Sequence, residues 1–347
     1  MLPLPVLEKV QKDLLSYNGT GMSVMEMSHR SKPYEAINAD AENLLRELMN
    51  IPENYDVIFV QGGASMQFEA LPLNLCKNKK ADYVVTGQFS EKAFKEAAKF
   101  TDAKCAASSK DKNHTYIPAL SSSMFRPDAD YVHICYNNTI FGTRYREVPD
   151  TGKVALAADM SSMILSEAVD VSKFGVIYAG AQKNVGPAGV TIVIVRKDLT
   201  LNSSPLCPTM LKWLTQTAEH SLYNTPPAFS TYVAMEVFRY LKELGGVKEM
   251  QKLNEEKAEM LYSFIDNSKL YKNNVEKKFR SLMNVPFVTN NEELDGKFVS
   301  EAAKVGLLSL KGHRSVGGMR ASIYNAMPVE GIKTLIEFMK KFEKENL

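Results

Sequence analysis

Short apolar runs recur along the first 195 residues, and each stops at small or polar residues instead of running on. They are Asp56-Val57-Ile58-Phe59-Val60, Asp82-Tyr83-Val84-Val85-Thr86, Tyr131-Val132-His133-Ile134-Cys135-Tyr136, Val154-Ala155-Leu156-Ala157-Ala158, Gly175-Val176-Ile177-Tyr178 and Val190-Thr191-Ile192-Val193-Ile194-Val195. Runs this short are strands, and runs apolar at nearly every position belong to strands covered on both faces. One helical pattern precedes the first of them, at about Pro33 to Met49, and others lie between them, at about Met66 to Leu73 and Ser90 to Phe100. Strands alternating with helices restrict the chain to a doubly wound, mostly parallel α/β sheet. In that architecture the carboxyl ends of the strands meet at one crevice, where ligands sit.

The residues beyond each strand therefore carry the functional reading. Gln61-Gly62-Gly63-Ala64-Ser65 joins a strand to a helix, and a small-residue turn there offers backbone N–H groups to a phosphate. It is neither GxGxxG nor GxxxxGK[ST], so no dinucleotide or triphosphate is implied, and a plain strand-to-helix turn is the other reading. Phe89 ends the second strand and could stack on a flat ring, or simply pack in the core. Thr139 lies in the polar loop Asn137 to Gly142. Asp159 ends an apolar strand and needs a cation or proton donor if buried. Lys183, beside Gln182, sits on a tight turn between two apolar strands. Alone it is an ordinary turn lysine; in a crevice its amine can form a Schiff base. His133, in mid-strand, reads as a core histidine. Lys183 and Asp159 are 24 positions apart (183 minus 159) with one strand between them. Pyridoxal phosphate asks for a lysine for its aldehyde, an acid for its ring nitrogen, a phosphate cradle and a flat apolar face. Each has a candidate.

Elsewhere, apolar spacing predicts a helix from Pro5 to Tyr17, ended by Asn18-Gly19. His29 and Arg30 precede the next helix and suit an anion, or a solvated surface. After Val195 come Pro205, Pro208, a connector with Trp213, then Tyr223-Asn224-Thr225-Pro226-Pro227 and a helix from about Ser230 to Leu244. Gly245-Gly246 marks the expected boundary between a large domain, 1–246, and a smaller α+β domain, 247–347. The latter reads as a helix to about Asn267, a strand near Ser281 to Val288, a helix from Leu294 to Lys304, short segments at Leu307 to Leu310 and Met319 to Tyr324, and a closing helix from Val329 to Glu345. Its loop Gly312 to Arg320 holds His313, Arg314 and Arg320, a second anion clamp.

With 42 basic and 40 acidic residues the net charge is +2, which gives no support to a nucleic-acid or anionic-membrane partner. Cys76, Cys105, Cys135 and Cys207 form no CxxC pair, and the five histidines add no metal-ligand spacing, so no metal is expected and the thiols read as reduced. Neither a signal peptide nor an apolar stretch of membrane-spanning length is found, and the expected location is the cytoplasm.

Several motifs together carry a resemblance: Asn18-Gly19-Thr20-Gly21-Met22-Ser23, Ser28-His29-Arg30-Ser31, Gln61 to Ser65, Ala179-Gly180-Ala181-Gln182-Lys183-Asn184, Asn224 to Pro227 and Gly317-Gly318-Met319-Arg320-Ala321-Ser322. The sequence resembles the phosphoserine aminotransferases, class-V, fold-type-I enzymes dependent on pyridoxal phosphate, over nearly its whole length. The resemblance implies that Lys183 is the Schiff-base lysine and Asp159 the pyridinium partner. Gly63, Ala64, Phe89, Thr139 and Gln182 would hold the cofactor, with Asn224 and Thr225 reaching its phosphate from the second subunit of a homodimer. Arg30 and Arg320 would bind substrate carboxylates, and His29, His313 and Arg314 the phosphate or second carboxylate. It implies amine transfer from glutamate to 3-phosphohydroxypyruvate in serine biosynthesis, with the related phosphonooxy-oxobutanoate of vitamin B6 synthesis as an open second acceptor. Two departures stand out: the family stacks a tryptophan where this chain has Phe89, and its opening strand and Ser-Ala-Gly-Pro turn are expected to be missing ahead of Met1. Competing readings are another fold-type-I enzyme, such as a cysteine desulfurase using Cys207, and a cofactor-binding homologue with reduced or lost turnover.

Overall fold

The computed structural model describes residues 1–347. In chain order the elements are α1 (Leu4–Asp13), α2 (Lys32–Met49), β1 (Tyr55–Val60), α3 (Gly63–Asn74), β2 (Lys80–Val85), α4 (Gln88–Ala97), β3 (Asp102–Ser108), β4 (Tyr131–Cys135), β5 (Ala155–Asp159), β6 (Val176–Gly180) and β7 (Thr191–Arg196). They continue with α5 (Trp213–Ala218), α6 (Ala228–Glu243), α7 (Val247–Asn267), β8 (Asn284–Phe287), α8 (Glu292–Lys304), β9 (Met319–Ser322) and α9 (Val329–Asn346). Seven strands form one sheet in the order β1-β7-β6-β5-β4-β2-β3, and β8 and β9 form a second, antiparallel pair. Within the large sheet only β7 runs against its neighbours, so the expected mostly parallel sheet is present.

Successive strand residues point to opposite faces, and both faces are apolar. Ile177, Ile192 and Ile194 join one core with residues of α1, α2 and α6. Tyr178, Val193 and Val195 join another with Phe68, Leu71, Ala93 and Trp213. Three layers result, which is why these strands read as continuous apolar runs rather than alternating ones. A separate core gathers β8, β9 and the inner faces of α7, α8 and α9.

Several boundaries differ from expectation, each for a local reason. Helix α1 stops at Asp13 rather than Tyr17, because the Asp13 carbonyl accepts from Val24 N (3.1 Å) and Tyr17 N turns to Met22 O (2.9 Å). Helix α3 begins at Gly63, three residues before Met66, so the small-residue turn is the helix's own first turn. Phe89 is not at a strand end but in the first turn of α4, whose start is fixed by Ser90 Oγ accepting from Thr86 N and Gly87 N. Leu307 to Leu310 forms no strand; Gly306 and Ser309 adopt left-handed backbone there. Strand β3, an edge strand of small and charged residues with none fully buried, and the short α5 were not anticipated.

Candidate active site

Strands β4, β5 and β6 set Cys135, Asp159 and Tyr178 side by side in register, and the loops beyond them form the crevice. Lys183 lies three residues past β6 on a turn closed by Val185 N and Gly186 N, both donating to Ala181 O. Its neighbour Asn184 is buried and pins that turn, donating to Ile164 O (2.8 Å) and accepting from Asn325 N (3.0 Å). Lys183 Nζ donates to Thr139 Oγ1 at 2.8 Å and stands 5.0 Å from the centroid of the Phe89 ring. Burial pushes the lysine's pKa below its ordinary value, and the Arg320 charge adds to this, while Asp159 and Cys135 oppose it. A depressed lysine pKa raises the share of neutral amine, the form that attacks a carbonyl.

Asp159 is buried at 5% exposure. Its Oδ1 accepts from Ser161 N (2.9 Å) and Ser161 Oγ (2.6 Å), and its other oxygen takes no hydrogen bond from the protein. Ser161 Oγ also accepts from Gly180 N (3.0 Å), tying the β5 loop to β6. Sequence reading gave Ser161 no role, although Asp-x-Ser at a strand end is the signature of a side chain folding onto its own backbone two residues on.

The first turn of α3 offers its N–H groups to the same edge, since these have no partner within a helix and Gly63, Ala64 and Ser65 donate to no other backbone group. Gly63 has φ +68, and a Cβ added there would meet nothing within 4 Å. The residues present fit pyridoxal phosphate: a buried carboxylate with one unused oxygen for a ring N–H, open helix N–H groups for a phosphate, a phenyl ring for stacking and a part-buried lysine for the aldehyde.

Next to Thr139, Arg320 of β9 gives Nη1 to Thr139 O at 3.4 Å, and its buried Nε has no partner. His313 and Arg314 sit on a loop closed by Gly312 N to Gly318 O (2.8 Å), with Arg314 exposed and His313 Nδ1 2.8 Å from Ser315 Oγ. Desolvation and then the charges of Arg320, Arg314 and Lys92 lower the His313 pKa. Gln182 is exposed, its amide folded over Gly180.

The other expected residues make no hydrogen bond to Lys183 within one chain. His29 and Arg30 line a hollow of about 780 Å³ with Glu35, Glu219, His220 and Tyr223. His29 Nε2 is buried there without a partner. Asn224 and Thr225 follow directly, held to the β1 end by Gln61 Nε2 donating to Thr225 O (3.1 Å). No hydrogen bond joins these four residues to Lys183, Asp159 or Arg320. His133, buried, pairs through Nε2 with Tyr178 Oη (2.7 Å) and stacks between Tyr83 and Tyr178, inside the core as expected.

The class-V aminotransferase profile matches residues 1–335. The chain is 57% identical over 347 residues to a phosphoserine aminotransferase of Bacillus cereus, covering 100% of this chain and 96% of that one. Among solved structures, the phosphoserine aminotransferase from Bacillus circulans subsp. alkalophilus superposes with a TM-score of 0.97 at 45% identity, over 100% and 97% of the two chains. A phosphoserine aminotransferase from Trichomonas vaginalis, solved with pyridoxal phosphate bound, gives 0.93 at 38% identity over 98% and 97%.

Proposed function

The chain belongs to the class-V aminotransferase family, whose chemistry is transamination dependent on pyridoxal phosphate, and from that premise we propose that it moves an amino group from L-glutamate to 3-phosphohydroxypyruvate, giving O-phospho-L-serine and 2-oxoglutarate. The observation that carries the reading is the cluster of Lys183, Thr139 and Arg320 beside a buried Asp159 with an unused oxygen. When bound, pyridoxal phosphate supplies an aldehyde that condenses with amines and a protonated ring that draws electrons from the substrate's α-carbon. Asp159 keeps a proton at the ring nitrogen, held in place by Ser161. Lys183 Nζ, its pKa lowered by burial and its amine aimed by Thr139 Oγ1, would take up and return the substrate's α-proton. Arg320 holds the α-carboxylate through its free donors, and His313 and Arg314 face the distal anion.

We assign His29, Arg30, Asn224 and Thr225 to the site of a second copy of the chain. In a homodimer the hollow lined by His29 and Arg30, with Asn224 and Thr225 following it in the chain, would close over the partner's Lys183, in line with the absence of hydrogen bonds from these residues to the lysine of their own chain. The boundary at Gly245-Gly246 belongs to the same reading, supported by positive φ at both glycines and by the separate core around β8 and β9. A cytoplasmic setting is supported by four free thiols, and no helix is long and apolar enough to cross a membrane.

Burial raises the Cys207 thiol above its ordinary pKa, the wrong direction for a nucleophile, which weighs against a desulfurase. The test is the visible absorbance of the cofactor-loaded protein: glutamate shifts it, and phosphohydroxypyruvate restores it. A spectrum that glutamate leaves unmoved refutes transamination, and a shift that phosphohydroxypyruvate cannot reverse refutes the acceptor.

A further inference from the structure

We infer that Asn284 is a positioning residue for substrate binding: it locks the polar face of β9, and with it the Arg320 guanidinium, onto the loop that holds Thr139 beside Lys183. The inference rests on the carboxylate role proposed for Arg320. In the β8–β9 pair Asn284 stands opposite Ser322 and Pro286 opposite Arg320. Alternate strand residues share a face. Met319, Ala321 and Ile323 accordingly turn into the second core, and Arg320, Ser322 and Tyr324 turn the other way, toward residues 137–142.

Asn284 is fully buried between the two sheets. Its Nδ2 donates to Ser322 Oγ and to Tyr324 Oη, both at 3.1 Å, and its Oδ1 accepts from Asn137 Nδ2 at 2.9 Å. Asn137 gives its other amide hydrogen to Ser162 Oγ at 2.7 Å, and Ser162 returns its hydroxyl to Asn137 O at 3.0 Å. One unbroken run of hydrogen bonds thus leads from Tyr324 to the loop beyond β5, where Ser161 holds Asp159. The buried Oδ1 of Asn137 has no partner, so this amide meets the second sheet through Asn284 alone.

Arg320 needs such an anchor. The one hydrogen bond its guanidinium makes is the long 3.4 Å bond to Thr139 O, and its Nε is buried and unpaired. The guanidinium is therefore placed by the strand beneath it and not by its own hydrogen bonds, which leaves its donors for the substrate. Loosening the strand weakens carboxylate binding in ground state and transition state alike, so KM rises while kcat holds.

The experiment is steady-state kinetics on the cofactor-loaded full chain. Asn284→Ala removes three buried hydrogen bonds and is expected to raise the KM for glutamate roughly tenfold, with kcat changed by less than about threefold. Asn137→Ala gives the same split, and the double variant is no worse than either single one, because both cut one link. Tyr324→Phe removes one hydroxyl only, and carries the test if Asn284→Ala does not fold: its KM rises about two- to threefold. Unchanged KM in both Asn284→Ala and Tyr324→Phe overturns the inference, as does a fall in kcat at constant KM. A wild-type protein that does not transaminate, or an Arg320→Gln variant with normal KM, refutes the proposed function instead.

Discussion

His133 offers a test in which the structure sets both sign and size. The imidazole is buried in the large sheet, stacked 4.8 Å from Tyr83, with Nε2 paired to Tyr178 Oη and Nδ1 unpaired. Burial pushes its pKa down from 6.5 to about 3. The folded protein therefore resists a proton that the unfolded chain accepts. Stability from this residue is complete above pH 6.5 and is lost as pH falls toward about 3. The gap between the two values caps the loss at about 5 kcal/mol, of which about 2 kcal/mol is already in force at pH 5. In His133→Gln an amide still partners the Tyr178 hydroxyl but does not titrate. Urea unfolding at pH 7 and pH 5 should show wild type losing about 2 kcal/mol more than the variant, every other titrating group cancelling in the difference. Equal losses refute the reasoning. The variant should also keep its turnover; its abolition would contradict the reading of His133 as a core residue.

Three more perturbations probe the crevice. Thr139→Val removes the acceptor that aims Lys183 and should lower kcat roughly tenfold, with Thr139→Ser near wild type; a fully active valine variant refutes the aiming role. Gly142 has φ +73 and an added Cβ would lie 2.3 Å from Pro286 Cδ, so Gly142→Ala should cost about 2 kcal/mol or more in thermal or urea unfolding, and an unchanged midpoint contradicts the close approach of this loop to β8. Mixed dimers of Lys183→Ala and Arg30→Ala chains, each inactive alone, should regain about a quarter of wild-type activity, since half the dimers are hybrid and each has one intact site. No recovery refutes shared sites.

Asp159 and Lys183 were legible from sequence because each is expensive where the pattern puts it: an acid ending an apolar strand, a lysine on a turn between two. Strand β3 was not, because Asp102 to Ser108 sits at a sheet edge with small or charged residues, none fully buried, and so lacks the apolar run that marked the others. The antiparallel course of β7 follows from its short connection to β6, which is too brief for a helical crossover. The hollow that His29 and Arg30 share with Glu219, His220 and Tyr223 had no local signal at all, because it depends on how α2 packs against α6 and the segment around His220. Nor did the Asn137–Asn284 bond, whose partners are 147 positions apart.

Those asparagines point to what a crevice at strand ends requires. Catalytic groups there must hang on irregular backbone, and irregular backbone that is buried leaves N–H and C=O groups without ladder partners. In this chain carboxamides take up the deficit. Asn184 bonds the Ile164 carbonyl and the Asn325 N–H, Asn325 bonds the carbonyl of Leu165, a residue in left-handed backbone, and Asn254 bonds Ser166 O and the Asn325 carboxamide. Asn138 spans Thr86 Oγ1 and Thr143 Oγ1 in the loop that carries Thr139. A carboxamide carries donors and an acceptor without charge, so it can join two loops where an ion would demand a counter-ion and shift the pKa of Lys183. The asparagines of these loops are thus positions where loop shape is fixed without adding charge near Lys183.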